Sequence, residues 1–358
     1  MASPFMFEKR LFTSKKIIIL VPFLSILGAL LVGGIFLALT GFDPFQVYQT
    51  MLQGAFGSKY GFTESIVKAI PLLLCGLGVA IAFKMKLWNI GAEGQFYIGA
   101  FAASGVALNF SDWPAYLLIP AMLGAGMLGG GLWALLPAIP RAYWKVNETI
   151  MTLMLNYVAI LWVEYLIFGP WKDPAGFNFP LTPLFVEAAT LPLLGDSRVH
   201  AGLVFALGVM VLYYLVFKYS KWGFEVAVIG ENPKVARYAG MNIPRNILIA
   251  MALSGALAGL AGMAEVSGIT HRLQQGISPG YGYTAIIIAW LGRLNPFAMA
   301  LVSVLFGGLL VGGFSVQTMM SMPAVTVSML QGLILFFVLG GEIFTKYRLV
   351  RARGKGNS

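Results

Sequence analysis

A carboxylate and two amides sit close together in the stretch 88–95, which reads Trp-Asn-Ile-Gly-Ala-Glu-Gly-Gln and opens a long apolar run. A charged group deep in a bilayer costs on the order of 2.5–3.5 kcal/mol, so Asn89, Glu93 and Gln95 must face protein or a cavity. Two readings follow. The three residues are part of a solute path or gate, or Glu93 caps a helix that begins near the inner interface, where negative charge suits a helix N-terminus. Residues 146–149, Val-Asn-Glu-Thr, open another run in the same manner. Asn147 is placed to cap it and Glu148 falls in its first turn, with Asn156 deeper in the same run. Trp290 lies beside a short apolar segment and offers a flat aromatic wall. Asn89, Glu93, Gln95, Asn147, Glu148, Asn156 and Trp290 are therefore the candidate lining of a translocation pathway. Glu164, Glu265, Gln317 and Gln331 read as hydrogen-bonding groups between helices. Glu164 and Glu265 fall near the outer ends of their runs, which places them at the membrane interface.

Other chemistry is hard to find. No Gly-x-x-x-x-Gly-Lys-Ser/Thr phosphate loop occurs. The two histidines, His200 and His271, have no cysteine or histidine cluster beside them that would hold zinc. Cys75 is the single cysteine, so there is no disulfide framework. No Ser–His–carboxylate set is visible. An enzyme is not expected, nor is a cofactor bound by this chain.

The setting for these residues is a membrane. The chain has 358 residues, is 58% hydrophobic and only 11% charged, and its mean hydropathy is +0.81. Continuous apolar runs long enough to span a bilayer recur, which predicts an all-α polytopic membrane protein and excludes a β-barrel. Ten spans are expected: 17–40, 64–83, 91–110, 115–139, 148–168, 201–217, 246–268, 283–291, 297–317 and 325–344. The first follows a basic leader but is too long for a cleaved signal. Pro71 is expected to kink the second. The eighth is about half a span, crossing fully or re-entering. The stretches 41–63, 169–200 and 271–282 are expected outside. With this parity, 19 of the 24 Lys and Arg lie on one side, which makes that side and both termini cytoplasmic. The resulting divisions are a basic leader (1–16), spans one to six (17–217), a cytoplasmic loop (218–245), spans seven to ten (246–344) and a basic tail (345–358). Gly126/Gly130, Gly255/Gly259 and Gly308/Gly312 have the spacing that lets helix backbones approach closely in lipid.

The loop 218–245 is the longest basic and polar stretch between the ends of the chain. Its middle predicts a short helix, with Asn232 as cap, Pro233 in the first position and Gly240 at its end. Such a helix is either a connection between two membrane halves or a handle for another protein. Arg237 and Tyr238 are the types of residue that anchor interfaces, or else they simply face solvent.

The segments LWNIGAEGQ (87–95), VNETIMTLMLNY (146–157), GENPKVARYAGMN (230–242) and GYGYTAIIIAWLGRLNP (280–296) resemble the permease subunits of bacterial ABC importers. The resemblance is to the simple-sugar and nucleoside branch, related to ribose and branched-chain amino-acid permeases, and it covers nearly the whole chain. It implies a type II ABC importer-like fold in the bacterial cytoplasmic (inner) membrane. It also implies a second permease subunit, in this branch a different chain. A cytoplasmic ABC ATPase holding the ATP and an extracytoplasmic substrate-binding lipoprotein complete the set. It makes 230–242 the coupling helix, with Glu231, Asn232, Pro233, Ala236, Arg237, Tyr238 and Gly240 against the ATPase. The expected function is ATP-driven import of nucleosides. Ribose-like sugars or branched-chain amino acids are the alternative solutes. An ion-coupled secondary transporter is the rival class, disfavoured by the scarcity of charge deep in the spans. Nucleic acid is not an expected partner, because the positive charge has the distribution of a membrane protein.

Overall fold

The computed structural model describes residues 5–9, 15–323 and 325–351. The expectations that fall on 1–4, 10–14, 324 and 352–358 lie outside the described residues. In chain order the elements are β1 (Phe5–Lys9), α1 (Lys15–Leu39), α2 (Pro44–Phe56), α3 (Lys59–Lys84), α4 (Ala92–Asn109), α5 (Ala115–Trp144), α6 (Glu148–Phe168), α7 (Gly202–Tyr219), α8 (Lys221–Glu231), α9 (Pro233–Tyr238), α10 (Ile243–Glu265), α11 (Tyr281–Leu291), α12 (Pro296–Met320), α13 (Val325–Lys346) and β2 (Tyr347–Arg351). Seven of the described helices are long and apolar enough to cross a membrane: α1, α3, α5, α6, α7, α12, and α10 with the wider turn Val266–Thr270 that continues it.

Polar side chains fix many of the helix starts. Ser58 accepts the Gly61 N–H at 3.0 Å before α3, and Ser220 accepts the Gly223 N–H at 2.9 Å before α8. Asn147, Asn232 and Asn242 do the same before α6, α9 and α10. Each satisfies a backbone donor that has no partner within the helix.

The contacts divide the chain into two units. The larger is Ala55–Val311. At its centre α4, α5 and α10 meet through glycine. A side-chain carbon at Gly130 or Gly259 would overlap the backbone of the facing helix, and one at Gly99 would strike Gly259. Only glycine permits this approach. α3 also packs on α10, where Gly78 faces the Ser254 carbonyl. The smaller unit combines Met1–Gly54 with Gly312–Ser358. There α1 packs on α13, with Gly28 beneath the Phe337 ring, and the Tyr48 hydroxyl donates to the Leu30 carbonyl at 2.7 Å. β1 pairs antiparallel with β2, Phe5 opposite Arg351. This short pairing and two isolated bridges, Leu181 with Gln274 and Leu193 with His200, are the β structure among the described residues.

Several expectations need correcting. The stretch 41–63 contains α2, whose Val47, Met51 and Ala55 are buried at helical spacing. α5 does not stop before Pro140 but runs through Pro137 and Pro140 to Trp144, and Lys145 ends it in a left-handed conformation (φ 56°). The loop 218–245 is mostly helical, because α8 precedes the short helix read from the sequence. The stretches 169–200 and 271–282, besides, are bonded to each other. Thr182 N–H donates to the Leu273 carbonyl (2.9 Å), Phe185 N–H to His271 (2.8 Å) and Leu191 N–H to Ser267 (3.0 Å).

Candidate functional site

The polar residues that open α4 are drawn into two hydrogen-bonded groups. In the first, Asn89 Nδ2 donates to Gln95 Oε1 (3.0 Å) and to Ser254 Oγ of α10 (2.9 Å). Gln95 Nε2 donates back to Asn89 Oδ1 (3.1 Å), which also accepts the Gly91 N–H (3.0 Å). All three side chains are buried, so the bonds replace the water each would otherwise hold.

In the second group Glu93 reaches the start of α11. Its Oε2 accepts the Gly282 N–H at 2.7 Å, and the carboxylate also accepts from the Tyr283 N–H and the Ser278 hydroxyl. Ser278 Oγ in turn accepts the N–H groups of Gly280 (3.0 Å) and Tyr281 (2.9 Å). The four backbone donors from Gly280 to Tyr283 are thus all satisfied, two by Ser278 and two by Glu93. Glu93, only 3% exposed, therefore caps α11 and not its own helix. The close approach is possible because a side-chain carbon at Gly282 would collide with the backbone of Ala92 and Glu93.

Asn156 of α6 ties the two groups together. Its Oδ1 accepts the Gly94 N–H (2.8 Å), and its Nδ2 donates to the Ile90 carbonyl (2.9 Å) and to the Tyr283 hydroxyl (3.2 Å). Asn147 is exposed and caps α6 through the Thr149 N–H (2.9 Å). Glu148 is buried. It accepts the Trp88 N–H (3.2 Å) and pairs with Arg141 Nε (3.1 Å). Trp290 forms an aromatic trio with Trp88 (5.8 Å between ring centres) and Phe83 (6.1 Å). Of the seven pathway candidates, all but Asn147 thus belong to one seam among α3, α4, α6, α10 and α11. Most are held between helices and do not face open space.

The sequence reading missed Ser254, Ser278, Gly282 and Tyr283, which supply the other half of these bonds. Gly282 and Tyr283 lie in the Gly-Tyr-Gly-Tyr stretch, which the sequence reading used only for the family resemblance. Glu265, read as a bonding group between helices, is buried and pairs with Lys68 of α3 (3.3 Å) beside the Tyr281 hydroxyl. Among the described residues no three His, Cys, Asp or Glu side chains converge as a metal site.

A second feature stands apart from this seam. Asn232 Oδ1 accepts the Lys234 N–H (3.0 Å) and Val235 N–H (3.4 Å), with Pro233 in the first turn of α9. Gly240 follows in a left-handed conformation (φ 73°), which glycine adopts without strain. Ala236 is buried against the chain while Glu231, Asn232, Pro233 and Arg237 are exposed, and Tyr238 is 94% exposed. α8 carries this projecting turn on a firm base. Gly230 abuts the Lys84 carbonyl at the end of α3, and Glu225 Oε2 accepts from Asn246 Nδ2 of α10 at 2.9 Å.

Seven described helices long and apolar enough to cross a membrane, with a buried polar seam around a half-length helix, give this chain the build of a multi-pass membrane protein. Residues 61–339 match the family described as branched-chain amino acid transport system, permease component, and the chain belongs to that family. It is 42% identical over 339 residues to the glucose ABC transporter permease protein TsgB13 of Haloferax volcanii, covering 92% of this chain and 89% of that one. It is 34% identical over 327 residues to the guanosine ABC transporter permease protein NupP of Bacillus subtilis (89% and 92% covered). With the nucleoside ABC transporter permease protein NupB of Lactococcus lactis it shares 30% over 329 residues (89% and 90% covered).

Proposed function

We propose that this chain is one permease subunit of an ATP-driven importer for nucleosides. The observation that carries the reading is its match along about nine-tenths of its length to relatives named as guanosine and nucleoside ABC transporter permeases. The more similar glucose permease favours a second reading, a free sugar as solute. Both solute types are hydroxylated rings, so one route chemistry serves either.

In this reading the chain crosses the membrane ten times: α4, α13 and the segment that contains the half-length α11 join the seven long apolar helices. The even number leaves both termini on the cytoplasmic side, in keeping with the excess of Lys and Arg there. α9 is the coupling helix, and Arg237 and Tyr238 are its contacts with a separate ATPase that binds ATP. No cofactor is held by this chain. A different permease chain completes the route, and an extracytoplasmic binding protein delivers the solute. Closure of the ATPase pushes α9, and α8 passes the movement to α3 and α10. The segment α11, fastened at its start by Glu93 and Ser278, then shifts with α4. The spans alternate between outward- and inward-open arrangements.

The test is uptake of radiolabelled guanosine and glucose by cells expressing the whole importer. Saturable, ATP-dependent guanosine uptake that glucose does not inhibit supports the nucleoside reading. Glucose uptake without guanosine uptake replaces it with the sugar reading.

A further inference from the structure

The seam described above is consumed by bonds within the protein. Two tyrosines beside it are not. Tyr157 is 56% exposed and Tyr283 is 37% exposed, and the Tyr283 hydroxyl is bonded to Asn156, the residue next to Tyr157 on α6. Tyr157 is the tenth residue of the 21-residue α6, halfway along the span. Its exposed neighbours on that helix, Met154, Val158 and Leu161, are apolar. Tyr283 is the third residue of α11, which is about 16 Å long and so reaches only about halfway across a hydrocarbon core of about 30 Å.

A tyrosine facing lipid belongs at the membrane interface, where its hydroxyl finds water. Two phenols together at mid-span, on an open face, are out of place against hydrocarbon. Non-helical backbone at that depth is tolerated where it is buried in protein or lines a cavity, and the stretch before α11 meets the same face. The hydrogen bonding adds a direction. Asn156 Nδ2 donates to the Tyr283 oxygen at 3.2 Å, which leaves the Tyr283 hydroxyl hydrogen for an outside acceptor. Two turns along α6 from Tyr157, and so on the same face, Glu164 accepts from Gln275 at 3.3 Å. The polar strip therefore continues toward the 271–280 segment.

We propose that Tyr157 and Tyr283 form the solute-contacting wall of the translocation route. The Tyr283 hydroxyl donates to an oxygen of a hydroxylated ring solute, and the Tyr157 ring packs against the ring itself. This rests on the importer reading and names the side chains that would meet the solute. Asn156 is a positioning residue, since it aims the Tyr283 hydroxyl without reaching the route.

The experiment uses the assembled importer and is helped by the burial of the single native cysteine, Cys75. In a Cys75→Ala background, Tyr157→Cys, Tyr283→Cys and, on the outer face of α7, Leu212→Cys are treated with a charged, membrane-impermeant thiol reagent in open membranes. The expected result is labelling at 157 and 283 and none at 212, with guanosine slowing both reactions at least threefold. Protection by glucose alone also supports the wall and identifies a free sugar as its ring. Failure of both positions to label, or labelling that neither solute slows, overturns the proposal. Tyr283→Phe gives a second readout that does not depend on cysteine. It is expected to raise the KM for guanosine uptake about fivefold with maximal rate little changed, and a wild-type KM for both Tyr283→Phe and Tyr157→Phe overturns the proposal. A wild-type importer that moves neither solute refutes the importer reading instead, and uptake shows this separately from labelling.

Discussion

The Glu93 carboxylate on α4 accepts the backbone N–H of Gly282 at 2.7 Å across 189 residues of sequence. A helix that begins inside a membrane has no water to satisfy its first donors, and here a side chain from a neighbouring helix does so. The same bond ties α4 to the start of α11.

Glu93→Ala should therefore release α11. Hydrogen bonds to a charged group contribute roughly 1.5–3 kcal/mol, so the thermal unfolding midpoint in detergent should fall and uptake should drop at least tenfold. Glu93→Gln keeps an acceptor and should lose less of both. Gly282→Ala should resemble Glu93→Ala, because its methyl group would displace the backbone of Glu93. Equal stability of all three variants and wild type would show that the cap is not needed.

The crossing of α4, α5 and α10 leaves no space for a side chain at Gly130 or Gly259. Overpacking of this kind costs about 1–3 kcal/mol or more. Gly130→Val and Gly259→Val should each reduce the yield of folded protein, read by size-exclusion profile, whereas Gly124→Val should not. Gly124 sits on α5 with open space around it.

The ion pair between the half-buried Lys68 and the buried Glu265 links α3 to α10. Removing one partner strands the other, at roughly 3–5 kcal/mol in a buried setting. Lys68 is partly exposed, so the lower end of that range is expected for Glu265→Gln or Lys68→Met alone. The double variant should cost less than the sum, measured by unfolding in a double-mutant cycle. Additive costs would mean the two groups do not interact.

His200 lies outside the spans and is 1% exposed. Burial, aided by the nearby His271, Lys68 and Arg198, lowers its pKa from 6.5 to about 4. The folded protein thus holds His200 neutral, with Nδ1 accepting the Gly202 N–H at 3.2 Å. Between pH 6.5 and 4 the unfolded chain binds this proton and the folded chain does not, so stability falls as pH falls through that window, by up to about 3 kcal/mol. Above pH 7 this contribution is constant. His200→Gln should flatten the decline in unfolding midpoint between pH 7 and pH 4, and an unchanged slope would assign it to other groups.

Much of this arrangement was legible in the sequence where a local signal sufficed. α6 begins at Glu148 and ends at Phe168 as read, because Asn147 caps one end and the apolar run stops at Gly169. The cap at Asn232, followed by Pro233, likewise needs only neighbouring residues. α2 was missed because its buried face is only Val47, Met51 and Ala55 amid polar residues. α8 was missed because its opening is basic, while its packing surface is formed by Gly223, Val226, Ile229 and Gly230. Pro140 looked like a helix end, and the helix passes through it. For the polar residues, type was legible and partner was not. Glu93 needed an acceptor's role, and nothing within its own segment showed that Ser278, Gly282 and Tyr283 would use it.

In the proposed function this chain is the permease of an importer driven through α9 by a separate cytoplasmic ATPase. The most direct measurement is co-purification of the tagged chain in mild detergent, with ATPase activity assayed on the eluate for wild type, Arg237→Glu and Tyr238→Ala. The account predicts that an ATPase and a second permease accompany the wild-type chain, and that both substitutions lose the ATPase at least tenfold while the chain itself remains folded. A chain that purifies alone, and moves guanosine across vesicles without ATP, would contradict it.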